Sequence, residues 1–176
     1  MRLANRAQDR IAAMNRCLPH LVLALAASAF SSTGLSAQVQ NQQVFAMHAS
    51  GSFDVTITPQ TDEGIGDKTV GRMAIDKQYH GVLEASGLGQ MLAGMGATEE
   101  SGVYVAIERI RGTLNGRKGT FAVHHRGIMT RGAQDLAISV IPDSGTEDLS
   151  GITGTMTIDI KEGKHFYGFD YTLPER

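Results

Sequence analysis

The chain has 176 residues, with 16 Lys plus Arg against 18 Asp plus Glu, 41% hydrophobic residues, 21 Gly, 4 Pro and no Trp. That is the length of one domain, too apolar for intrinsic disorder and too weakly charged for a basic nucleic-acid binder. Abundant glycine and β-branched residues with few prolines favour a small all-β domain over a multi-domain enzyme.

The first segment reads as an address label. Arg2, Arg6, Arg10 and Arg16 stand against only Asp9, an apolar run follows over residues 18–30, and Gly34-Leu35-Ser36-Ala37 has the small-residue pattern of a cleavage site. About 13 apolar residues fall short of the roughly 20 that span a bilayer, so residues 1–37 are expected to be a signal peptide cleaved after Ala37. The mature protein is then periplasmic or secreted, with no membrane insertion. Cys17, the one cysteine, lies in this leader. Its loss would exclude disulfides, thiolate metal sites and cysteine nucleophiles. Without the leader's four arginines and one aspartate the domain is mildly acidic, near −5, which disfavours nucleic acid and anionic lipid as partners. Residues 38–48 read as a polar extension and 49–176 as a single domain.

Alternating or β-branched runs then recur over residues 44–58, 68–77, 81–93, 103–114, 118–129, 133–141, 152–160 and 165–173. Turn chemistry separates them, including the pairs Asn115-Gly116, Arg131-Gly132 and Glu162-Gly163. Eight short strands without a helical period point to a sandwich or a closed barrel. Residues 91–95 allow a helical turn as well as a strand. Gly94-Met95-Gly96, beside Met91 and Leu92, fits a mobile apolar lip on a barrel mouth. Gly87-Leu88-Gly89 lacks the third glycine and the helix of a dinucleotide fingerprint, so no cofactor is expected there.

One hairpin can be aligned residue by residue. Asn115-Gly116 suits a two-residue type I′ turn, in which both central residues take positive φ. Leu114 then faces Arg117, Ile110 faces Phe121, Glu108 faces Val123, Ala106 faces His125 and Tyr104 faces Gly127. One face carries Ile110, Phe121 and Val123 with Glu108, His125 and Tyr104. His125 is diagonal to Glu108, within side-chain reach. The other face holds Val103, Val105, Ile107 and Ile128 among Arg109, Arg111, Arg126 and His124. Two half-apolar faces suit a barrel whose outside is itself covered, by another subunit for example.

The glycine-punctuated stretch Ser144-Gly145-Thr146-Glu147-Asp148-Leu149-Ser150-Gly151-Ile152-Thr153-Gly154 resembles the strand connection of allene oxide cyclase-like and dirigent-like barrels. With Gly51-Ser52-Phe53-Asp54-Val55, Glu108-Arg109, Gly112-Thr113-Leu114-Asn115-Gly116-Arg117, Gly119-Thr120-Phe121, His125, Ile141-Pro142-Asp143, His165-Phe166-Tyr167 and Tyr171, the chain resembles an uncharacterised bacterial family of such barrels over about residues 49–173. The resemblance implies an eight-stranded antiparallel barrel, homodimeric or homotrimeric, with a small apolar lumen open at one end. It also implies a small lipophilic ligand, which relatives bind or cyclise mostly by shaping it. It transfers no catalytic residue.

Glu108 and His125 are the best polar pair: a carboxylate orienting an imidazole holds a general base near neutral pH, but the same pair would equally knit two strands inside a barrel. Tyr104 adds a phenol to that face. Candidate ligand contacts are Phe121 and Val123, with His165, Tyr167 and Tyr171 from the aromatic stripe of the last strand, which core packing would also explain. Glu84 is a second lumen carboxylate or a rim charge. No metal is expected: His124 and His125 point to opposite faces, and His165 would complete a two-His, one-carboxylate set with Glu108 and His125 only if the strands gathered them. Three functions stay open: a binding barrel for a small lipophilic molecule, a cofactor-independent isomerase, cyclase or lyase in which His125 moves a proton and Glu108 orients it, or a purely structural oligomer whose narrow eight-stranded lumen is plugged.

Overall fold

In a computed structural model, residues 45–61 and 70–175 are described. The expected leader, its cleavage site and Cys17 lie outside the described residues. Eight strands run in chain order: β1 (Phe45–Gln60), β2 (Val70–Gly81), β3 (Leu83–Met95), β4 (Gly102–Leu114), β5 (Arg117–Thr130), β6 (Ala133–Val140), β7 (Thr153–Lys161) and β8 (Lys164–Leu173). All neighbours pair antiparallel, and β8 returns to β1 to close the barrel. The all-β, eight-stranded antiparallel barrel expected from the sequence is therefore the fold.

Local chemistry sets the hairpins. Asn115 and Gly116 have φ of 47° and 76°, Arg131 and Gly132 48° and 83°, Glu162 and Gly163 51° and 76°. Each pair supplies the two positive-φ positions whose twist matches the flanking strands. The β4–β5 ladder runs from Leu114↔Arg117 to Gly102↔Met129 in the register that the Asn115-Gly116 corner predicts. Residues 91–95, where a helical turn was an alternative, continue β3 through Met95.

Alternation sends one set of side chains into the lumen, and the lumen has two halves. Around the Asn115-Gly116 end it is filled. Ile110, Leu114, Phe121, Tyr167, Phe169 and Tyr171 are buried there, and the β6–β7 connection, with its short 3-10 turn at Glu147–Leu149, adds Leu149 and Ile152. Phe121 and Phe169 stack at 5.6 Å, and Phe169 and Tyr171 at 5.1 Å. Such rings bury large area in offset contact, which makes this half the core. The outer face of β3 to β5 leaves Leu88, Leu92, Val103, Val105 and Ile107 exposed, Ile107 by 61%.

One seam is thin. β6 and β7 pair only through Ile138↔Met156 and Ser139↔Thr155. Beyond that short ladder, Leu136 and Ile158 line a cavity from its two sides.

Candidate functional site

The other half of the lumen is a cavity of about 660 Å³, walled by Ile75, Met91, Ala93, Tyr104, Leu136, Ile158 and others, with Lys77 and His125 at its inner end. Its volume lies within the roughly 300–1,000 Å³ of small-molecule sites. Met91, Met95 and Met129 all border it.

A charged cluster separates cavity from core. On β4, Glu108 sits between Ile110, inside the core, and Ala106 and Tyr104 toward the cavity, and its carboxylate is 0% exposed. Tyr79 donates its hydroxyl to Glu108 Oε1 at 2.8 Å, and Lys77 Nζ donates to Oε2 at 2.8 Å. Nζ also donates to the Tyr79 hydroxyl oxygen at 3.3 Å and lies 5.0 Å from the Phe53 ring centroid. Lys77 and Tyr79 stand two apart on β2, so both point inward. From β5, His125 Nε2 comes within 3.2 Å of Oε2, an ion-pair distance. Among the described residues that buried nitrogen has no other partner.

Space for the carboxylate comes from β3. A Cβ on Gly87 would fall 2.0 Å from Glu108 Oε1, and one on Gly89 would fall 2.6 Å from Ile107 O. The glycines of Gly87-Leu88-Gly89 thin the wall where an acid must fold against it.

Electrostatics follow from this enclosure. Burial pushes the Glu108 carboxyl toward neutrality, but His125 and Lys77 outweigh it and hold its pKa below the usual value. Tyr79 is shifted well up, by burial first and then by the Glu108 charge, so it remains a donor. Burial also raises Tyr104.

The structure brings Glu108 and His125 together, and Tyr104 joins them on the same wall, farther out, its ring covering Gly127. His165 borders the cavity and packs on Phe53 at 5.1 Å. It does not gather with Glu108 and His125, and among the described residues no three His, Cys, Asp or Glu side chains are grouped to hold a metal. Phe121, Val123, Tyr167 and Tyr171 face inward but belong to the packed core and do not line the cavity. Tyr167 accepts from Leu83 N at 2.9 Å, a strand-to-strand tie. Glu84 is exposed and accepts from Gly81 N at 2.7 Å, a rim charge at the β2–β3 turn.

Lys77 and Tyr79 are absent from the sequence reading above. Their signal was present: Ile75, Lys77 and Tyr79 alternate with exposed Asp76, Gln78 and His80, which places a lysine on an otherwise apolar face.

Comparison with known proteins gives a family and a fold. Residues 49–171 match the family described as "Protein of unknown function (DUF3224)". A crystal structure of a protein of unknown function from that family, from Shewanella oneidensis MR-1, is 43% identical, covering 75% of this chain and 100% of that one, with a TM-score of 0.68. No match is found among curated proteins.

Proposed function

The chain belongs to the DUF3224 family, whose function is unknown, and we propose from its own residues that it is a binding barrel for a small lipophilic molecule held in the open half of the lumen. The observation that carries the reading is an apolar cavity of about 660 Å³ ending on the buried Lys77–Glu108–His125 cluster. An apolar hollow with a few convergent polar groups is the usual form of a small-molecule site. Methionines at its border adapt to irregular apolar shapes. The likeness to allene oxide cyclase-like and dirigent-like barrels supports a lumen ligand by analogy of fold alone. Export belongs to the same reading, on the strength of the basic, then apolar, first 37 residues.

The test uses N-phenyl-naphthylamine, an uncharged apolar fluorophore, titrated into the full chain. Saturable micromolar binding is expected, and it should be lost in Ala93→Trp, whose indole would occupy the cavity. No saturable signal, or equal binding by the plugged variant, overturns the reading.

The second reading, a cofactor-independent isomerase, cyclase or lyase, draws on one observation: His125 borders the cavity with Glu108 behind it. An imidazole so placed can move a proton on a bound molecule. This reading requires deuterium from the solvent to enter a carbon–hydrogen bond of the bound molecule, and that exchange to stop in His125→Ala.

A further inference from the structure

We propose that the molecule held in this lumen is a carboxylate-bearing amphiphile, seated with its anionic head on Lys77 and its apolar body toward the mouth. The inference rests on the lumen reading above and deepens it by naming the head group.

Lys77 decides the class. An ammonium has three N–H donors and no acceptor. Glu108 Oε2 takes one at 2.8 Å and the Tyr79 hydroxyl takes a second at 3.3 Å. Among the described residues the third has no acceptor, and Lys77 borders the cavity although the residue is only 5% exposed. Glu108 and Tyr79 do not border it. Both carboxylate oxygens are already engaged, Oε1 by Tyr79 and Oε2 by Lys77 and His125, and Gly87 closes behind Oε1. The inner end of the cavity therefore presents a cationic donor while the matching acceptor is hidden. A charged acceptor gains most from such a donor, because charge-assisted hydrogen bonds are roughly twice as strong as neutral ones. An amine head would meet a like charge.

The acids of the mouth do not oppose this polarity. Asp135 and Asp159 border the cavity, but Asp135 is paired with Arg126 at 2.9 Å and Asp159 with Lys161 at 2.6 Å. Between them and Lys77 the wall is apolar, with Ile75, Met91 and Ile158, which suits a hydrocarbon body.

Displacement of bound N-phenyl-naphthylamine by dodecanoate, dodecanol and dodecylamine, each below its aggregation limit, tests the head group on the full chain. Dodecanoate should displace the probe at about tenfold lower concentration than dodecanol, the equivalent of one charge-assisted bond, with dodecylamine weakest. The double variant Lys77→Met/Glu108→Gln, which removes both charges and leaves neither buried alone, should bind the probe but lose that order. Equal displacement by the three, a lead for the amine, or an order that survives the double variant overturns the head-group proposal while leaving the lumen reading intact. Failure of the probe itself to bind sinks both. An orientation measurement needs no variant: in the unaltered protein, nuclear Overhauser contacts should join the carbon next to the bound carboxylate to Lys77 and Phe53, and the terminal methyl to Met95 or Met129. The reverse orientation rejects the proposal.

Discussion

Glu108 holds a negative charge at 0% exposure, and its three neighbours make that affordable. Removing one partner from a buried ion pair leaves an uncompensated charge and costs about 3–5 kcal/mol, whereas replacing the whole pair can be neutral. The pKa sets the pH window. The folded value lies below the ordinary carboxylate value, so the stabilisation is fully present above the unfolded pKa of about 4.3 and is lost as pH falls through the folded pKa. Glu108→Gln is expected to cost about 3–5 kcal/mol near neutrality, since Lys77 loses its anionic partner, and to flatten the acid limb of stability. Urea unfolding of both proteins at a series of pH values measures this. Parallel acid limbs would show that other carboxylates govern acid unfolding. At this scale the site was half legible: the Asn115-Gly116 register put Glu108 and His125 within reach of each other, and they are 3.2 Å apart. Lys77 was missed because a lysine at position 77 reads as the end of a run, and β2 in fact continues to Gly81.

Among the elements, β3 shows how one strand serves two demands. Gly87 gives up a side chain so that Glu108 fits, while Gly94, near the strand's end, has nothing within 4 Å of a would-be Cβ. Gly87→Ala should cost about 1–3 kcal/mol, as overpacking does, and push the carboxylate off Tyr79. Gly94→Ala should stay within about 0.5 kcal/mol of the unaltered protein. Thermal or urea unfolding of the two variants separates a specific clash from a general aversion of β3 to side chains; equal losses would mean the latter. Strand order and hairpin corners were readable because period-two alternation and X-Gly corners are local signals. Alternation names the face of a strand but not the depth along the barrel axis. For that reason Phe121, Val123, Tyr167 and Tyr171 pointed inward as read, yet lie in the filled half.

In the molecule as a whole, closure hides every sheet edge except along one line. The β4–β5 ladder joins strands from end to end, while β6 and β7 share two residue pairs. Local opening draws on the parts of a structure with the fewest bonds to break. Backbone amides on the facing edges of β6 and β7 should therefore exchange with deuterated water well before those of β4 and β5. Uniform protection around the ring would contradict this. No single run of residues announces the seam, since it arises where β6 and β7 part beyond Ile138↔Met156, at the end away from their connection, and Leu136 and Ile158 turn to the cavity.

The cavity borders that same line, on Leu136 and Ile158. A hoop fastened by two rungs can be loosened sideways while the rest stays locked, so the girth of that wall of the cavity would be set by the grip of Ile138 on Met156 and not by the melting of the barrel.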